Sequence, residues 1–313
     1  MDQDILPIDV GFAQSKWRYN GRQGKFPSAV AKQPTLCKGD MQGLNEHTVN
    51  GKTLVVGEDA CDQFCKQIYE REMTWLIEYL PYFIAQAARE AGIADLSTVK
   101  TLSLGLPIED FTEWKARLIS RLENIEINGV KHSFNVLVTQ QGVGAMITCY
   151  KEKNIQKKNT RGIVIDIGGN TIIIVSHKNF SPTKAGSNQY EESGVSVAAE
   201  KIRIRLETLN SKNYSLVDTL NIMRTRTVPG NAAKTDINKE IDAALAAFAQ
   251  DLVTQINQDY SGSIGGLDHV ILAGGGAEIV RPYLPETWPN VIVLDDAEFA
   301  NVRGYAFRAQ DGK

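Results

Sequence analysis

Cysteine and histidine are scarce: four of each stand in 313 residues. The cysteines, Cys37, Cys61, Cys65 and Cys149, are irregularly placed. That excludes a disulfide framework and points to a reduced, cytoplasmic setting. Cys61 and Cys65 fall on one expected helix, yet no second pair completes a zinc-ligand spacing, so buried structural thiols are expected. No apolar run reaches the ~18 residues of a membrane span. The start, Met1-Asp2-Gln3-Asp4, lacks the basic and apolar stretches of a secretory leader, and none is expected. Low-complexity tracts are missing, which excludes extensive disorder. A net charge of −3 provides no general field for coating nucleic acid. No G-x-S-x-G is present, so the nucleophile elbow of serine hydrolases is excluded.

What is present is a 42% hydrophobic chain long enough for about two domains. Strands are expected at 5–11 and 15–20, with a short extended piece at 26–30. Asn50-Gly51 centres a hairpin over 47–56, and Asn128-Gly129 marks a second. Helical spacing covers 58–92, with interruptions near Thr74 and Pro81; Pro81 should kink that helix or lie in its first turns. A buried strand, Thr101 to Leu106, stops at Pro107. A helix follows at 110–122, and Phe134–Val138 leads to a loop, Thr139 to Ala145, that opens another. Residues 151–161 are polar and basic without apolar period, and mark the domain boundary. Strands then restart at 162–167 and 171–176, with a third strand or loop at 179–185. A helix at 195–208, a polar region to about 234, a helix at 236–258, strands at 269–273 and 291–294, and a closing helix from about 301 complete the chain. Both halves open with strand, turn, strand and later alternate strand with helix, which predicts two α/β domains of common plan. The expected division is 1–161 plus 301–313, with a small subdomain at about 25–100, against 162–300.

Two segments carry the chemistry of that plan. Leu6 to Phe12 runs an apolar strand into Asp9, skips a residue and places Gly11; Gly162 to Thr171 does the same with Asp166 and Gly168. A carboxylate ending a buried strand is costly unless paired or near a metal. Gly11, Phe12 and the residues to Lys16 form the first turn, and Lys16 can reach phosphate oxygens as a point charge. Gly168, Gly169, Asn170 and Thr171 form the second, where two glycines allow close approach of the backbone to anionic oxygens and Asp166 can hold Mg²⁺, through water. A plain hairpin explains either turn taken alone. Gly274, Gly275, Gly276 and Ala277 follow a strand and open a helix, a place for a base or phosphate but not the dinucleotide fingerprint. Gln141 can orient a water for attack on a γ-phosphate, or simply cap a helix. Glu200 and Lys201 can contact ribose or base, or form an exposed ion pair. The basic stretch 151–161 and Arg203, Arg205, Arg224 and Arg226 read as adaptor, filament or solvated surface.

The order of these pieces resembles the actin-like ATPase superfamily, which includes actin, bacterial MreB and FtsA, chaperone ATPases and sugar kinases. Asp9 to Lys16 looks like the first phosphate loop and Asp166 to Thr171 like the second. Val138 to Ala145 and Asn301 to Tyr305 look like the connecting segments, with Gln141 at the water-positioning site and Gly304 where helices cross closely. Leu272 to Glu278 looks like the adenosine loop. Within the superfamily the chain is most similar to the ParM/StbA plasmid-segregation group, through Phe26-Pro27-Ser28, Val55 to Ala60, Leu106-Pro107 and Ser193-Gly194-Val195-Ser196. Ile173 replaces a second acidic residue found in some relatives, and Gln141 a glutamate.

The resemblance implies an α/β, actin-like (ribonuclease H-like) duplicated fold with a nucleotide cleft between domains. It implies a cytoplasmic ATPase that binds ATP or ADP (GTP being tolerated) with Mg²⁺ on Asp9 and Asp166. It also implies self-assembly into filaments that move plasmid DNA through a small DNA-binding adaptor, without membrane contact. The alternatives of another class are a small-molecule kinase of the same fold, which needs a carboxylate base where Gln141 stands, and a nucleotide-binding scaffold without turnover.

Overall fold

A computed structural model describes residues 4–32, 43–61, 65–68, 72–109, 111–155, 158–229, 236–260 and 264–312. Cys37 lies outside them. The chain divides into two compact units, Met1–Thr148 with Asn301–Lys313, and Cys149–Ala300.

The first unit runs β1 (Ile5–Val10), β2 (Gln14–Tyr19), β3 (Arg22–Pro27), β4 (Val30–Lys32), β5 (Glu46–Val49), β6 (Lys52–Val56), β7 (Lys66–Ile68), α1 (Met73–Glu90), β8 (Thr101–Leu106), α2 (Phe111–Leu122), β9 (Ile125–Ile127), β10 (Val130–His132) and β11 (Asn135–Gln140). The helix α3 (Val143–Glu152) begins in it. Its main sheet has the order β11-β8-β1-β2-β3. The β1–β2 and β2–β3 pairs are antiparallel, while β1–β8 and β8–β11 are parallel. Every residue of β1 and β8 is buried, as central strands covered on both faces must be. A second sheet, β10-β9-β5-β6-β4-β7, is built mostly from the stretch between β3 and α1. Asn50-Gly51 and Asn128-Gly129 both carry positive φ at their two turn positions, the type I′ geometry that suits strand twist.

The α1 helix is apolar nearly all round and buries Trp75, Leu80, Phe83 and Ile84 in one core shared with strands of both sheets. Burying one such side chain contributes about 2 kcal/mol. The expected helix over 58–92 is therefore corrected: only its second half is α-helical. Residues 57–61 form a single 3₁₀ stretch and β7 follows, so Cys61 and Cys65 share no helix. Gly57 has φ +75° and breaks the spacing that the side chains alone suggest. Pro81 lies inside α1, which runs on through it. Tertiary burial outweighs the N–H that proline withholds.

The second unit contains β12 (Arg161–Ile167), β13 (Ile172–Lys178), β14 (Ser181–Tyr190), α4 (Ser196–Asn210), α5 (Leu216–Thr225), α6 (Asn238–Asp259), β15 (His269–Ala273), α7 (Ala277–Val280) and β16 (Val291–Val293); the closing helix is α8 (Ala300–Asp311). Its sheet has the order β14-β13-β12-β15-β16. Here β12–β13 and β13–β14 are antiparallel, and β12–β15 and β15–β16 parallel. Strand for strand, this is the order and direction of the first unit's main sheet. Residues 179–185, open between strand and loop, belong mostly to β14. The polar region to 234 holds a helix, α5, started by a capping box: the Ser215 hydroxyl accepts from Asp218 N–H while the Asp218 carboxylate accepts from Ser215 N–H. Buried at the far end of β12 from its aspartate, His177 and His269 meet Nε2 to Nε2 at 3.1 Å beside Phe180.

Candidate functional site

The first turn is built from the end of β1. Asp9 is buried and faces Lys16 in the β1–β2 register. Lys16 Nζ stands 4.0 Å from its carboxylate. Gln141 Nε2 donates to Asp9 Oδ1 at 3.1 Å, and the Tyr305 hydroxyl to the same oxygen at 3.4 Å. The turn closes with Gly11 N–H donating to the Gln14 carbonyl at 3.1 Å. A Cβ on Gly11 would meet that oxygen at 3.2 Å, so the position favours glycine without a positive φ.

The second turn repeats this. Asp166 is the penultimate residue of β12, and Gly168 N–H donates to the Thr171 carbonyl at 2.9 Å. A Cβ on Gly168 would stand 3.0 Å from that oxygen. The turn is braced from behind. Ser193 and Gly194 N–H both donate to the Asn170 carbonyl, Val195 N–H to Gly168 and Ser196 N–H to Gly169. Gly194 is needed for this: its Cβ would lie 2.3 Å from the Gly169 oxygen. Around Gly169 itself a Cβ would meet nothing within 4 Å, so that face of the turn is open to a ligand.

The triple glycine packs against the same strand end. Gly274 has φ +84°, and its Cβ would fall 2.5 Å from Asp166 Oδ1. Gly276 N–H donates to the Ile167 carbonyl at 3.0 Å. Gly275 is looser and receives Arg224, whose guanidinium donates to its carbonyl at 3.3 Å. The helix that these glycines open, α7, is only four residues long.

The loop carrying Gln141 is held by the closing helix. Asn301 Oδ1 accepts from Gly142 N–H at 2.9 Å and from Ala145 N–H at 3.1 Å, which caps α3. Gly144 and Gly304 bring the two helix backbones together: a Cβ on Gly304 would be 1.8 Å from the Gly144 carbonyl. Ser103 donates to the Tyr305 carbonyl and Arg308 to Thr139, fixing α8 on the sheet.

The remaining candidates start on α4, whose first residue, Ser196, is hydrogen-bonded to Gly169 of the second turn. Glu200 and Lys201 are exposed on α4, and Arg203 engages Glu200 through two bonds that lower its carboxyl below the usual range. The arginine cluster is engaged within the chain: Arg203 also holds Glu207, Arg205 holds Glu240, and Arg226 holds Asp242 and Tyr283. The Asp9 contact from Tyr305 and the Gly275 contact from Arg224 have no local sequence signal. Tyr305 arrives from the far end of the chain.

Two sheets of one topology, each ending its first strand in Asp-x-Gly with the same turn bond, describe a duplicated domain. The family model for the N-terminal domain of actin-like proteins matches residues 7–144, and that for the C-terminal domain of the archaeal actin homologue MreB-like matches residues 164–286. The chain belongs to the actin-like superfamily. Its fold is similar to the crystal structure of an archaeal actin homolog, with TM-score 0.80 and 20% identity over 98% of this chain and 99% of that one. The complex of that homolog with ADP aligns with TM-score 0.80 at 19% identity, covering 98% and 99%. A 15-stranded ParM filament from Clostridium botulinum aligns with TM-score 0.76 at 18% identity, covering 99% and 100%. No curated protein matches the sequence. Among the described residues, no helix of this actin-like chain is long and apolar enough to cross a membrane.

Proposed function

We propose that this chain is an ATP-driven filament protein that positions plasmid DNA through a small DNA-bound adaptor. The observation that carries the nucleotide reading is the repeated turn: Asp9 with Gly11, and Asp166 with Gly168, closed by the same hydrogen bond. In this reading, the backbone of Gly11, Phe12, Gly168, Gly169, Asn170 and Thr171, with the Lys16 ammonium, binds the phosphates of ATP. Gly274 to Ala277 take the nucleoside.

The residues fit a magnesium nucleotide. Mg²⁺ is held by one or two carboxylates together with water and substrate phosphates, not by a cage of protein ligands. Asp9 and Asp166 are each the penultimate residue of a strand beside a glycine turn, and Gly274 keeps the space at Asp166 Oδ1 clear of side-chain carbon. Bound Mg²⁺ supplies neutralisation of the charge that develops on the transferring phosphoryl group.

Gln141 positions the attacking water. Its amide nitrogen is committed to Asp9, which leaves the amide oxygen as the acceptor for that water. A glutamine is no base, so orientation and electrostatics supply the catalysis. Filament assembly is supported by the likeness to filament-forming relatives, and adaptor and plasmid by the resemblance to the segregation actins.

Phosphate release with ATP and Mg²⁺ tests this reading. Asp166→Ala is expected to lower turnover by roughly 100-fold. Unchanged turnover in that variant removes the mechanism. Electron microscopy with ATP tests the filament.

A further inference from the structure

One fully buried side chain has no part in the nucleotide turns and yet reaches their first carboxylate. Tyr305, on α8, stands 296 positions along the chain from Asp9. Its ring occupies a slot that two glycines open. A Cβ on Gly105, inside β8, would overlap the Tyr305 hydroxyl, and a Cβ on Gly144, in the first turn of α3, would meet the ring edge at 2.6 Å. Neither glycine has a positive φ, so backbone conformation does not demand them. A glycine inside a central strand weakens it, and its use calls for a local reason. The Tyr305 ring supplies one.

Asp9 is itself buried, and a carboxylate in such a place has to be held by donors. They approach it from a loop, a helix and a strand. Gln141 Nε2 and the Tyr305 hydroxyl share Oδ1, at 3.1 and 3.4 Å, while Lys16 Nζ stands 4.0 Å from Oδ2. Two donors on one oxygen leave the carboxylate less freedom to rotate than one does. The Tyr305 backbone is tied down as well. Its carbonyl accepts from the buried Ser103 hydroxyl at 2.9 Å, and Arg308, one turn on, donates to Thr139. A fixed ring, not a swinging side chain, carries the hydroxyl to Asp9.

We propose that Tyr305 is a positioning residue for nucleotide hydrolysis: its hydroxyl holds Asp9 Oδ1 where Gln141 Nε2 meets it, which keeps the Gln141 amide oxygen aimed at the attacking water. This rests on the hydrolysis reading and adds a residue to it. Tyr305 lies buried behind Asp9 and acts through it. Misplacing a group that orients the nucleophile lowers kcat more than it alters binding. Losing one hydrogen bond to a charged group corresponds to about tenfold in rate.

The test is Tyr305→Phe, which keeps the ring in its slot and removes only the hydroxyl. Phosphate release with ATP and Mg²⁺ is expected to show kcat lowered about tenfold, with KM and the calorimetric ADP affinity within about twofold of wild type. In a Gln141→Ala background the same substitution should lower kcat by less than about twofold, because the side chain that Tyr305 serves is gone. A wild-type kcat in Tyr305→Phe, a parallel loss of ADP affinity, or equal losses in the two backgrounds overturns the inference. A wild type that releases no phosphate overturns the functional reading instead. The positioning is then read from crystal structures of the wild type and Tyr305→Phe. The contact from Gln141 to Asp9 must open beyond hydrogen-bonding range in the variant, and a contact retained at 3.1 Å overturns the inference.

Discussion

Gly304→Ala is the sharpest test of how the site is held. The added Cβ would stand 1.8 Å from the Gly144 carbonyl oxygen, where real contacts stay beyond 3.0 Å, so α3 and α8 must part by at least 1.2 Å. Both neighbours are helix backbone, and neither can swing aside. The separation stretches the 2.9 and 3.1 Å bonds from Gly142 and Ala145 to Asn301 past hydrogen-bonding range. Losing two such bonds costs about 2 kcal/mol, and overpacking about 2 kcal/mol more. Alanine's better helix propensity returns about 1 kcal/mol. The net loss of about 3 kcal/mol moves a urea midpoint down by about 1 M. The assay is equilibrium urea unfolding followed by far-UV circular dichroism. A midpoint within roughly 0.3 M of wild type would falsify the claim that this crossing is fixed by backbone contact.

Gly169→Ala is the matched control: nothing lies within 4 Å of its Cβ and its φ is not positive, so the urea midpoint should hold while ADP affinity falls at least tenfold by calorimetry if phosphate meets this turn. Acid should destabilise the second unit. Burial, and then the neighbouring His269, lower His177 to about 4, and burial lowers His269; Asp268 opposes both. A base whose folded pKa is depressed contributes full stability above its unfolded value near 6.5. That contribution is lost as pH falls from there toward 4, by about 3 kcal/mol for His177. Urea unfolding at pH 7 and pH 4.5 measures this, and His177→Gln should flatten the dependence. Ser215→Ala removes the capping box of α5 and should cost about 1 kcal/mol in the same assay, with an unchanged midpoint counting against a stable cap.

Local pattern was readable wherever one residue type has one physical use. Asn-Gly at 50–51 and 128–129 specifies a tight hairpin because both positions need positive φ, and both turns are present. The strand from Thr101 to Leu106 ends at the residue before Pro107. Helical spacing failed over the described part of 58–72, where Ala60 of the 3₁₀ turn and Cys65 just before β7 pack in one small core with Ala31 and Val55, while β7 itself stays largely exposed. The α5 helix was hidden by its polar face. Its Ser215 and Asp218 were the available signal.

The sequence by itself determined the two Asp-x-Gly turns, the triple glycine and the restart of the strand pattern in the second half. These are local chemistry, since turn geometry and strand burial depend on neighbours a few residues away. Only the tertiary structure decided that the two sheets share one strand order and that both turns close with the same bond. It alone brought Tyr305 and Gln141 to Asp9, and Gly304 against Gly144. Those contacts join residues more than a hundred positions apart, and no short-range pattern encodes them. The packing of α8 and α3 against the sheet determines which side chain meets the carboxylate.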